Sequence, residues 1–153
     1  MAAQFKKGAM TEILRDNRWW LLKTEPNAYS WADLLRDGTT VWSGVTNAQA
    51  LINIRAMQVG DTALFYHTGD ERAAVGLVRI ITAPYPDPQA ANPKQVVVDV
   101  APLRALARPV TLAQIKAEPL LADWVLVRNS RLSVVPCSAA QWEWVLERST
   151  SDQ

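Results

Sequence analysis

Apolar positions in this chain fall in short blocks, each closed by a glycine, a proline or a residue that can cap a helix. W-W-L-L-K (19–23) reads as a buried strand on which Trp19 and Trp20 point to opposite faces, so one of them turns inward. S-W-A-D (30–33) has the form of a capping box, in which Ser30 accepts from the amide three residues on and Asp33 reaches back. A short helix follows, and D-G (37–38) stops it. Val41 and Trp42 read as a second, brief strand. From Asn47 the period becomes helical: Ala50, Leu51, Ile54 and Met57 share a stripe, with Gln49 and Asn53 one turn apart beside it. The turn V-G-D (59–61) leads into T-A-L-F-Y-H-T (62–68), and G-D-E-R (69–72) turns the chain back through A-V-G-L-V-R-I-I (74–81), which predicts a hairpin. On its first strand Phe65 and His67 share one face and Tyr66 takes the other. Y-P-D-P-Q-A-A-N-P (85–93) reads as loop, because prolines lack the donors of a ladder. K-Q-V-V-V-D-V (94–100) is the next strand, and R-L-S-V-V-P (131–136) is a final one closed by Pro136. T-L-A-Q (111–114) and S-A-A-Q (138–141) repeat the capping box, opening a short helix through Lys116 and a last helix carrying Trp142, Val145 and Leu146. The pattern predicts an α+β fold: five to six mostly antiparallel strands in a curled sheet or barrel, with peripheral helices.

Composition narrows the class. At 153 residues, 49% of them hydrophobic, the chain is a single folded domain with a sizeable core. We expect a loose N-terminal arm at 1–18, the domain at 19–148 and a C-terminal tail at 149–153. Lys and Arg number 16 against 15 Asp and Glu, so a nucleic-acid partner has to be met by a local patch of charge. Cys137 is the one cysteine, which excludes an internal disulfide and suits a reducing compartment. No apolar run approaches the ~20 residues of a membrane span. A soluble, cytoplasmic protein that does not engage membranes is expected.

Familiar catalytic signatures are missing. The glycines form neither a dinucleotide fingerprint nor a phosphate loop, and no serine sits in a nucleophile elbow. His67 is the single histidine, so multi-histidine metal sites are excluded and one candidate base is left. Its other reading is a strand-end residue hydrogen-bonded to backbone. A triad from Ser43 or Ser133, His67 and a distant aspartate has no local motif behind it. No catalytic residue, metal ligand or cofactor is assigned.

Tryptophan is abundant, with seven in the chain. Trp142 and Trp144 belong to the last helix, Trp124 lids the core, and Trp31 staples its helix to the sheet. Trp42 differs, because Ser43, Gly44 and Asn47 around it are small and polar. Two readings stand open: an indole packed under the following helix, or a flat wall for a flat ligand.

The segments W-L-L-K-T-E-P, S-W-x-D-L, W-S-G-V-T-N-x-Q-A, F-Y-H-T, Y-P-D-P and S-R-L-S-V-V-P together resemble the EVE family of PUA-like domains. The resemblance runs in order from about 20 to 146. It implies a curled β-barrel with a pocket at one end, and a reader of modified bases, especially modified cytosine in DNA, with no catalysis of its own. More distantly, Lys23-Thr24 and Trp42-Ser43 resemble the YTH readers of methylated adenine, in which the corresponding tryptophan walls an aromatic cage. By that likeness Trp42 stacks on a base. Thr24, Ser43 and Asn47 would then judge its edge with nearby amides, among them that of Val45, and Gly44 would let the backbone come close. Glu25 would accept from an exocyclic amine, or else pair with Lys23 or Arg131. Phe65, Tyr66 or His67 would face the pocket from the strand. Ser130, Arg131, Leu132 and Ser133 would form the opposite wall, with Arg131 on phosphate or base.

The chain also departs from the family. Relatives often read G-V-R-N-Y-Q-A-R-N, whereas Thr46, Ala48, Leu51 and Ile52 stand here, so two arginines are missing beside the pocket. Weaker and more salt-sensitive duplex binding follows, or a ligand smaller than DNA. Modified DNA is the expected partner, with proteins of a defence or regulatory system beside it. An RNA-binding module and a nucleoside enzyme using His67 are the alternatives.

Overall fold

In the computed structural model, which describes residues 19–150, strand β1 (Trp19–Thr24) lies next to one edge of a six-stranded sheet, paired on both sides. The expected arm at 1–18 lies outside the described residues, as do positions 151–153. On β1, Trp20, Leu21 and Leu22 are all buried, as a run apolar on both faces requires, and Trp19 takes the outer position against Trp142. The Trp20 indole N–H donates to the buried Asp61 carboxylate at 3.0 Å, which satisfies both groups inside the core.

Helix α1 (Trp31–Asp37) starts at the predicted capping box: Ser30 Oγ accepts from Asp33 N and Asp33 returns to Ser30 N. It stops at Gly38, whose amide bonds Leu34 O at 2.8 Å. Strand β2 (Thr40–Val41) sits one residue earlier than expected, since Trp42 lies past its end although its amide still bonds Val98 O at 2.8 Å. Helix α2 (Ala48–Arg55) begins at Asn47 and buries Ala50, Leu51 and Ile54. Its Asn53 donates to Val134 O at 2.8 Å and accepts from Gln49 at 3.1 Å, tying the helix across to the far edge of the sheet.

Strands β3 (Thr62–His67) and β4 (Ala73–Ile80) form the expected hairpin. Next come β5 (Tyr85–Pro86), β6 (Val96–Val97) and β7 (Asp99–Thr111), then α3 (Leu112–Lys116), a 3-10 turn at Pro119–Leu121 and α4 (Val125–Arg128). Strand β8 (Val134–Cys137) and helix α5 (Ala139–Thr150) close the chain. The sheet order is β2-β7-β4-β3-β1-β8, and β1 with β3 is the parallel pair while its other pairs are antiparallel. Register shifts between Phe65 and Tyr66, Ala74 and Gly76, and Leu77 and Val78 bend these strands and curl the sheet into a half-barrel.

Several expectations are corrected. Tyr85 and Pro86 are not loop but pair with Val97 and Val96, because a two-stranded ribbon leaves proline an outer position without a required donor. The strand expected at 94–100 is split, and its second part continues thirteen residues through Pro102 and Pro109. β8 begins at Val134, so 131–133 stay in a loop. Ser149 and Thr150, expected in the tail, are the last turn of α5, with Ser149 fully buried. Among the described residues no helix is long and apolar enough to cross a membrane.

Candidate functional site

A cavity of about 480 Å³ opens where β1 ends and the chain leaves β2. Three pieces of sequence build it. Lys23, Thr24 and Glu25 end the first strand, Thr40 to Asn47 form the second wall, and Tyr29 and Ser133 close the sides. Of the expected residues the structure brings Lys23, Thr24, Glu25, Trp42, Ser43, Gly44, Val45, Asn47 and Ser133 together here.

Trp42 packs into the core and borders the cavity. It is 7% exposed, with its ring edge-on to Phe65 at 5.7 Å between centroids and 80° between planes, and it also lines the cavity. Gly44 has φ of 81°, and a Cβ there would meet nothing within 4 Å, so the backbone conformation and not crowding calls for glycine. Ser43, Gly44 and Thr46 make no hydrogen bond to other described residues, which leaves their amides and hydroxyls to a ligand.

The remaining polar groups are already half committed, and this sets their polarity. Asn47 Oδ1 accepts from Ala50 N at 2.9 Å as the cap of α2, so what it has left is the Nδ2 donor. Thr24 donates its hydroxyl hydrogen to Tyr29 O at 2.9 Å, so toward the cavity its oxygen accepts. Lys23 Nζ donates to Ser130 O at 3.0 Å and lies 5.9 Å from the Tyr66 ring centre, and burial pushes its pKa down. Glu25 accepts from Asn27 N and Thr68 Oγ1, both at 3.4 Å, and among the described residues it pairs with neither Lys23 nor Arg131.

Other candidates fall outside the cavity. Phe65 is fully buried behind Trp42. Tyr66 is buried beneath Lys23, and desolvation raises its hydroxyl pKa. His67 Nε2 accepts the Trp31 amide at 3.0 Å, which puts the ring proton on Nδ1, where it donates to Glu71 Oε1 at 2.7 Å. The imidazole therefore pins α1 to β3 and presents no base to the cavity. Leu132 is core, while Ser130 and Arg131 are exposed on the loop beyond the lining. Ser130 reaches the site through its carbonyl on Lys23.

Sequence reasoning missed Tyr29, Thr40, Val41 and Thr46 as lining residues. Tyr29 stands just before the Ser30 cap and is held by Asp37 at 2.9 Å; no spacing rule places it at a cavity. No cluster of metal-ligating side chains occurs among the described residues.

The EVE domain pattern matches residues 18–148. The chain belongs to the EVE domain family. Chicken thymocyte nuclear protein 1 is 33% identical over 161 residues, covering 83% of this chain and 66% of that protein. The chain thus spans about two thirds of that relative's length. Rpa0253 from Rhodopseudomonas palustris, solved by NMR, has a TM-score of 0.81 and 42% identity, over 86% of this chain and 92% of that one. The human THYN1 protein, crystallised in complex with 5-methylcytosine-containing DNA, has a TM-score of 0.81 and 31% identity, over 88% of this chain and 99% of that one. These relatives carry the EVE likeness and its PUA-like half-barrel; the likeness to YTH readers rests on Lys23-Thr24 and Trp42-Ser43 alone.

Proposed function

We propose that this EVE domain, residues 19–148, is a non-enzymatic reader of a modified cytosine in DNA, which it takes from the stack into the Trp42 pocket. The observation that carries the proposal is a cavity of about 480 Å³ with an indole wall and unpaired polar groups around it. That volume falls within the ~300–1,000 Å³ of small-ligand sites. The human THYN1 complex with methylated DNA, on the same fold, supports the choice of partner.

Extrusion of a base costs a few kcal/mol, and stacking on an aromatic wall returns about 1–3 kcal/mol whichever base arrives. Identity comes from the rim. Cytosine offers one exocyclic amine as donor, which the Thr24 oxygen and the Glu25 carboxylate are left to accept. Its ring acceptors suit Asn47 Nδ2, the Lys23 ammonium and the amides of Ser43 and Gly44. His67 has its Nε2 lone pair committed and lies away from this pocket, so no base role is assigned to it. The cytoplasmic location expected from the single thiol is part of the same proposal.

Trp42→Ala should abolish binding to an oligonucleotide carrying 5-methylcytosine while circular dichroism still reports a folded chain. Affinity equal to wild type would end the assignment. Matched DNA and RNA strands titrated side by side test the partner, since a preference for RNA would replace the DNA reading. Turnover of any nucleoside in a panel would replace the reader with an enzyme.

A further inference from the structure

Beside the pocket lies a pair of cations that neither the packing nor the base site accounts for. Helix α2 starts at Asn47 in the pocket wall and ends at Arg55, about 12 Å further along at ~1.5 Å per residue. The Arg55 guanidinium donates to the carbonyl of Lys94, which brings two exposed cationic residues side by side. Lys94 is itself set by its backbone, its amide donating to Asn92 Oδ1 at 2.9 Å. The next residue, Gln95, donates to Val45 O at 3.4 Å, so this turn is moored to the pocket wall.

Neither cation has a carboxylate partner among the described residues. Arg36 shows the contrast, since Asp33 and Asp37 hold it at 3.0 and 2.9 Å. Both side chains leave from this one exposed contact, so an anion arriving there is attracted by two cations at once. An arginine can grip phosphate with two N–H groups, and a lysine adds a point charge. Arg55 stands about 12 Å of helix rise beyond Asn47, and with Lys94 on the neighbouring turn it suits the phosphates beside that nucleotide more than the base itself.

We propose that Arg55 and Lys94 form a phosphate-binding rim that grips the sugar–phosphate backbone next to the extruded base. The proposal rests on the DNA-reading function above. It assigns this surface the sequence-independent part of binding and leaves methylation preference to the pocket. In a chain of net charge +1, such a local rim is what a duplex can be held by.

The test is a salt series of duplex binding, with matched methylated and unmethylated DNA followed by fluorescence anisotropy. Arg55→Ala with Lys94→Ala should flatten the slope of log K against log salt by about 1.8, at ~0.9 per phosphate contact. Affinity for both duplexes should fall by the same factor, and binding of free 5-methyldeoxycytidine should stay at the wild-type value. Lys94→Ala alone, which removes no side-chain hydrogen bond of the fold, should give half the slope change. Lys116→Ala, on α3 away from the pocket, should leave the slope as it was. A double variant with the wild-type slope would overturn the rim while leaving the pocket reading intact. Selective loss of the methylated duplex would overturn it too, by making the pair a base contact. A wild-type protein that binds the nucleoside and no duplex would sink both.

Discussion

At Gly76 the sheet meets an indole face. A Cβ built there would stand 2.4 Å from the Trp31 ring, so the position is closed to any side chain by contact and not by its backbone angle. Gly76→Ala should therefore push Trp31 off the sheet and cost about 1–3 kcal/mol, read as a lower urea midpoint at unchanged slope. A variant as stable as wild type would show that Trp31 can retreat freely. Half of this contact was legible: the Ser30 capping box marks Trp31 as the first helical residue, facing inward. Its target was not, because Gly76 is one of six glycines and its partner lies 45 positions away in the chain. His67 illustrates the same gap. Its strand-end reading was open beside the catalytic one, and only the fold brings the Trp31 amide to its ring nitrogen.

Helix α2 joins stability to recognition through Asn47. Asn47→Ala removes the bond to Ala50 N and should cost about 1 kcal/mol of stability. Asn47→Asp keeps that cap but replaces the amide donor with a carboxylate, so denaturation should be unchanged while base binding drops about tenfold or more. Equal binding by the aspartate variant would assign Asn47 to capping alone. The β5–β6 ribbon supplies a pH-dependent contact, as the Tyr85 hydroxyl donates to Asp99 and its pKa is pushed up to about 12. A pKa higher folded than unfolded means the stabilisation is complete below about pH 10 and is lost as pH rises to about 12. Ultraviolet titration should show one tyrosine ionising near that upper value, and Tyr85→Phe should remove the step. A titration curve identical in the variant would place that step elsewhere. Capped helices were legible because their signals are local. Strand β7 was not, since Pro102 and Pro109 interrupt its pattern and only the bulged pairing with β4 accommodates them.

Across the molecule, Cys137 offers a probe of global opening. It lies on β8 opposite Trp19, 3% exposed, and burial pushes its thiol well above the usual range. Thiol reagents should leave the native protein almost unlabelled and react along the urea unfolding transition. Labelling without denaturant at the rate of a free cysteine would show that β8 detaches locally. By itself the sequence determined the capped helix starts, the β3–β4 hairpin and the buried first strand, while its resemblance to EVE domains pointed to Lys23 to Glu25 and Trp42 to Asn47. These follow from periodicity, caps and contiguous motifs, which act over a few residues. The tertiary structure alone decided that Trp42 packs on Phe65 at the cavity wall, that Phe65, Tyr66 and His67 stand behind the pocket, and that Arg55 meets Lys94 beside it. Those facts depend on strand order and bulges, and the contacts that set them join residues dozens of positions apart.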